Sequence, residues 1–225
     1  MATTTSSEDA AVERIPRHSR KVRLFHTATY LVTLPLIATG WWLLLGAEGH
    51  PSPLSRLTGI ADARLHVWLG RALAVLVVVP LVVGWRGIAT FLRETFRYDR
   101  GDGRWWLRWP AGSLNGRFAR HEGHFDPGQR LANVVIVGGL LVLTATGIAM
   151  TILHGGHTFA MLNKVHRVTT LIVTPFILGH LLIAFGVLPG YRGVWRSMHW
   201  GGRVPEDTAR RVWPGWAERT RTKPD

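Results

Sequence analysis

The chain of 225 residues contains no cysteine. This excludes disulfides, cysteine-ligated iron–sulfur clusters and covalent c-type haem attachment within the chain, so a redox centre here must use other ligands. Acidic residues are scarce, 14 Asp and Glu against 27 Lys and Arg, for a net charge of +13. The opening stretch Met1 to Arg14 has no apolar h-region, so no cleavable secretory signal is expected and the first apolar segment must itself direct insertion. A glycine-rich nucleotide or flavin fingerprint is also missing.

What the chain does have is apolar residues gathered into long blocks. These run Val22–Gly46, Leu65–Gly84, Leu131–Leu153 and Val165–Leu188. Each offers roughly the ~20 apolar residues that a helix needs to cross a hydrocarbon layer of ~30 Å. The mean hydropathy of only +0.11 reflects dilution by long arginine-rich connections.

In a soluble protein such a charge would suggest nucleic acid, but its distribution argues for topology instead. Arg14, Arg17, Arg20, Lys21 and Arg23 cluster before or at the start of the first block, nine arginines fall from Arg86 to Arg130, and another basic group runs from Arg192 to Lys223. The other two connections hold only Arg56, Arg64 and Lys164. By the positive-inside rule, the expected fold is an all-α integral membrane bundle of four transmembrane helices, N and C termini cytoplasmic. The expected organisation is a disordered N-terminal tail over 1–21, a membrane domain over 22–190 and a cytoplasmic, partly interfacial C-terminal tail over 191–225.

Along the chain, Trp41 and Trp42 suit the outer interface, and Ile88 to Phe96 extend the second helix into the cytoplasm. The connection from Arg97 to Arg130, with Trp105, Trp106 and Trp109, is expected along the inner membrane surface. Gly138-Gly139 and Thr144 to Gly147 are small residues that let helices or a flat cofactor approach closely. Ala38-Thr39-Gly40 recurs as Ala145-Thr146-Gly147, a faint internal repeat.

Eleven histidines occur. Four lie in the apolar blocks, where an ionisable side chain is costly and marks a site. His26 falls near the inner start of the first span, and His66 near the outer start of the second. On the fourth span His166 is near the outer end, and His180 is fourteen residues deeper. That spacing is about 21 Å along a helix and keeps both imidazoles within about 40° of one face. Depth therefore pairs His66 with His166 outside and His26 with His180 inside, which predicts axial ligands for two b-type haems. A helix–helix hydrogen-bonding role is the plain alternative for any single histidine; zinc would need three or four ligands at one depth. His154 and His157, in the outer loop, are reserve candidates for the outer site. His18, His50, His121, His124 and His199 read as polar loop residues.

These residues resemble the cytochrome b (gamma) subunit of membrane-bound formate dehydrogenase and, more broadly, bacterial cytochrome b561-like subunits of hydrogenases and related oxidoreductases. The resemblance runs from about Ile15 to Glu218. It is carried by Arg23-Leu24-Phe25-His26, His66, Phe125-Asp126-Pro127-Gly128-Gln129-Arg130, Thr146-Gly147, His166, His180, the stretch from Gly202 to Arg210, and Trp213-Pro214-Gly215-Trp216.

The resemblance implies a dihaem anchor subunit in the bacterial cytoplasmic membrane. It would take electrons from iron–sulfur and catalytic partner subunits at the outer haem and deliver them from the inner haem to a quinone, menaquinone or ubiquinone. It also makes Asp126, Gly128 and Gln129 quinone-site candidates, although the formate dehydrogenase subunit has asparagine where this chain has Asp126. Capping of the third helix is the plain alternative for that segment. Arg20, Arg23 and Arg130 are candidates for haem propionates or, equally, flanking topological charges. Rival readings are a stand-alone b561-type carrier and a haem-free anchor or transporter with a histidine-lined proton path. The latter lacks an acidic relay, since no Asp or Glu falls in the four blocks.

Overall fold

The computed structural model describes residues 13–46 and 49–222. Four helices are long and apolar enough to cross a membrane: α1 (Arg20–Leu44), α3 (Asp62–Val83), α6 (Pro127–Ile152) and α7 (Gly156–Ala184). Each packs against two of the others, α1 on α3 and α7 and α6 on α3 and α7, which closes a four-helix ring. Their outward faces are exposed and apolar, as at Leu31, Val75, Val82, Leu141, Leu171 and Leu178. Such a surface calls for lipid rather than water. The protein is an all-α four-helix membrane bundle.

Local chemistry sets the helix ends. Ser19 caps α1 by accepting from the Val22 amide, and Asp126 caps α6 by accepting from the Gln129 amide at 2.8 Å, with Pro127 in the first turn. The short outer helix α2 (Pro53–Thr58) is capped by Ser52, whose amide and hydroxyl both donate to Asp62 at the start of α3. Close approach of α6 and α7 needs a glycine: a Cβ on Gly139 would collide with the Val173 side chain. Its neighbour Gly138 faces open space.

Several boundaries differ from expectation. Helix α7 starts at Gly156, well before Val165, because the left-handed backbone of Gly155 and Gly156 (φ 143° and 80°) turns the chain within three residues. Its first turns are polar, which hid them from a hydropathy reading. The second span ends at Gly84, and a separate helix α4 (Trp85–Thr95) follows instead of a continuous extension. Helix α4 packs on α3 and α6, where Asn133 donates to Thr95. The long basic connection contains α5 (Asp102–Asn115), which packs on α6. Two arginines lie inside spans, Arg71 on α3 and Arg167 on α7, both exposed, a position from which long side chains reach toward the interface.

At the basic end, segments expected as tails fold into a cap. Strand β1 (Arg14–Pro16) pairs antiparallel with β2 (Arg203–Pro205), Ile15 opposite Val204. Short helices α8 (Trp195–His199), α9 (Glu206–Val212) and α10 (Pro214–Arg221) complete it. Its core, Ile15, Tyr191, Val204, Ala209, Val212, Trp213 and Ala217, is a contiguous buried apolar cluster. Residues 1–12 of the expected N-terminal tail, and 223–225 of the C-terminal one, lie outside the described residues.

Candidate functional site: two histidine pairs

Near the end of the bundle opposite the cap, His66 from α3 and His166 from α7 face each other with ring centres 6.1 Å apart and planes at 76°. They line a cavity of about 380 Å³ between the four long helices. Nearer the cap, His26 from α1 and His180 from α7 stand 6.2 Å apart at 56°. They line a second cavity, also about 380 Å³. Both pairings are those expected from depth and helical spacing.

The separations suit a metal between two imidazoles. Two metal–nitrogen bonds of about 2 Å, plus about 1 Å from each nitrogen to its ring centre, place the centres about 6 Å apart. Glycines make room for these two rings: a Cβ on Gly40 would lie 3.1 Å from His66 Cε1, and Gly147 stands in the matching place against His166. Among the described residues no cluster of three or more His, Cys, Asp or Glu forms a metal site. The donor set is bis-imidazole, as haem iron takes.

The outer pair is anchored by hydroxyls. Thr39 Oγ1 lies 3.0 Å from His66 Nδ1, and Thr146 Oγ1 lies 2.8 Å from His166 Nδ1. The faint repeat of Ala-Thr-Gly thus has a counterpart in space, each copy meeting one histidine. Trp41, expected at the interface, reaches inward and donates to Thr174 Oγ1 at 2.9 Å, on the stretch of α7 between His166 and His180. Trp42 donates to the His50 carbonyl in the outer loop.

The inner cavity brings Asp126, Gly128 and Gln129 together with His26 and His180. Asp126 is buried while it caps α6, so the capping role and the cavity position coexist. Burial pushes its carboxyl above the usual carboxylate range, against the opposing pull of the Gln129 amide, His121 and Arg17. Gln129 Oε1 is buried with no hydrogen-bond partner among the described residues. Gly128 lets Trp105 pack: a Cβ there would lie 2.8 Å from the indole. Trp106, Trp109 and Tyr191 add aromatic walls, and Trp109 donates to the Tyr191 hydroxyl at 3.0 Å.

The three arginine candidates are placed differently. Arg130 is buried and committed to Asp102 at 2.6 Å and to the Arg97 carbonyl. Arg23 donates to the Met198 carbonyl at 3.0 Å, beside the cavity, while Arg20 is exposed. His154 and His157 are both exposed, His157 within the first turn of α7 rather than in a loop.

Among the histidines read as polar loop residues, His18 also lines the inner cavity, and two others are placed by distant segments. His199 from α8 lies 6.2 Å from His26, ring centre to ring centre, and lines the inner cavity. His121 is buried with Nε2 2.9 Å from the Val212 carbonyl. Neither carries a local signal, because both are placed by segments remote in sequence.

Comparison with curated proteins returns no match. A family model described as prokaryotic cytochrome b561 matches residues 17–201, which takes in all four long helices and both histidine pairs. With that match and this architecture, the chain belongs to the prokaryotic cytochrome b561 family, multi-pass membrane cytochromes that bind haem b and carry electrons.

Proposed function

We propose that this chain is the dihaem membrane subunit of a respiratory oxidoreductase, linking iron–sulfur and catalytic partner subunits of the formate dehydrogenase type to the membrane quinone pool. The observation that supports it best is the pair of opposed-histidine cavities stacked along one bundle. In this reading His66 and His166 hold one haem b, and His26 and His180 hold the other. Bound haem b with both axial positions filled supplies one-electron transfer rather than oxygen chemistry.

The remaining residues shape the inner cavity for menaquinone or ubiquinone. Trp106 and Trp109 offer flat apolar faces to a quinone ring. The buried Gln129 Oε1, without a partner among the described residues, can accept from a quinol hydroxyl, and burial raises the pKa of the neighbouring Asp126 carboxyl, which makes it a proton acceptor for the same site. Arg23, beside the cavity, would be the residue to hold a haem propionate. Arg130, already paired, instead ties the start of α6 to the connection that leads into α5. The basic end faces the cytoplasm and the chain sits in the bacterial cytoplasmic membrane, as its arginines favour.

The test is a reduced-minus-oxidised spectrum of the purified protein with haem stoichiometry, followed by addition of a soluble quinone analogue to the reduced protein. Two b-type haems per chain and reoxidation by the quinone are expected. One haem or none would sink the paired-site reading, and failure to reoxidise would remove the quinone assignment.

A further inference from the structure

We infer that Thr39 and Thr146 are positioning residues that set the tautomer and electron donation of the two outer histidines, and so tune the outer haem alone. This rests on the haem reading of the outer pair. Each threonine hydroxyl has one proton and two lone pairs. In Thr39 the hydroxyl donates to the Pro35 carbonyl at 3.0 Å, with the Leu36 carbonyl at 3.1 Å. In Thr146 it donates to the Val142 carbonyl at 2.7 Å. With the proton engaged on the helix backbone, the oxygen must accept from the ring, so His66 and His166 carry their protons on Nδ1. Nε2 of each ring is then left with a free lone pair for iron.

Burial protects this arrangement. Thr39 is 1% exposed and Thr146 7%, which shields both hydroxyls from bulk water. The following residue is glycine in both copies, and it clears the ring that the hydroxyl holds. The two copies come from different hairpins, α1 with α3 and α6 with α7, yet present the same Thr-Gly pair to a histidine of the next helix. The inner pair is built otherwise: His26 Nδ1 is buried with no hydrogen-bond partner among the described residues. A bond from Nδ1–H to an acceptor raises the basicity of the ligating nitrogen and favours the oxidised metal. The threonines therefore hold the outer haem at a lower midpoint potential than it would have without them.

The experiment is a spectroelectrochemical titration of the full-length, haem-loaded protein carrying Thr39→Val, Thr146→Val, both together, or the serine replacements. Each valine is expected to raise the reduced-to-oxidised ratio of the outer haem, at a fixed poise, by about fivefold, the worth of one ordinary hydrogen bond. The inner haem should stay unchanged, and serine should restore the outer one. Selective loss of the outer haem in a valine variant, restored by serine, also supports the assignment. Equal shifts of both haems, no shift, or serine behaving like valine would overturn it. Fewer than two haems in the unaltered protein would instead overturn the site reading beneath it, so the two failures are distinguishable.

Discussion

The imidazole of His26 stands 6.2 Å from that of His180, although 154 positions separate them in the chain. His199 lies on another side of His26 at the same centre-to-centre distance. His199 sits in a five-residue helix of the cap and is exposed, whereas His180 is held on a long helix of the bundle. Replacing His180 with Ala is expected to remove the inner haem and leave most of the outer one, with His199→Ala keeping both. Haem counts on the purified variants check this, and equal loss of both haems in the His180 variant would leave the pairing unsupported.

Arg17 ties the cap together. Its guanidinium lies 3.9 Å from the ring centre of Trp213 and 4.2 Å from that of Trp216, and it donates to the His124 carbonyl at 2.5 Å. Burial lowers its pKa to about 9, against the pull of Asp126 and Glu94. Two buried cation–π contacts and a charged hydrogen bond are together worth about 3 kcal/mol. Arg17→Ala should destabilise the cap by about that amount, and Lys should restore only part of it, since a compact ammonium lacks the flat guanidinium face and its forked N–H donors. Limited proteolysis after Arg203 or Arg210 reads the loosening; unchanged protection would show that the contact adds nothing.

Acid should open the same region. Burial, then Arg17, holds His124 down at about 3 from an ordinary 6.5, and His18 is lowered to about 3 for the same first two reasons. Below pH 6.5 the unfolded segment takes up protons that the folded cap refuses, so stability is full above that pH and declines toward pH 3. The slope approaches about 1.4 kcal/mol per pH unit for each group. Tryptophan fluorescence of the cap across this range checks it, and a flat response would contradict the burial of these rings.

Capping and proton exchange at Asp126 can be separated. Asparagine caps a helix about as well as aspartate, so Asp126→Asn should leave thermal stability nearly unchanged, while Asp126→Ala should cost about 1 kcal/mol. If the carboxyl serves the quinone, Asp126→Asn should flatten the pH dependence of quinone reoxidation. An unaltered pH profile in the asparagine variant would reduce Asp126 to a cap.

Much of this was readable from the chain alone, for a physical reason. A bilayer demands about twenty apolar residues per crossing and penalises a buried ionisable group. Four blocks and four histidines therefore stand out without any knowledge of contacts, and helical rise converts the spacing of His166 and His180 into two depths. The basic flanks follow from the same solvent boundary.

Tertiary structure decided what depends on meetings between distant segments. The cap exists because Ile15 pairs with Val204 and the Arg17 guanidinium lies against Trp213 and Trp216, contacts that no local pattern encodes. His121 and His199 looked like loop residues until α8, α9 and α10 folded over the basic end. The repeated Ala-Thr-Gly was visible as letters, but its meaning came only when α1 met α3 and α6 met α7, bringing each hydroxyl within hydrogen-bonding distance of a ring nitrogen. Hydrophobic partition acts on composition and length, which are properties of a segment; hydrogen-bond geometry acts on relative position, which belongs to the folded bundle.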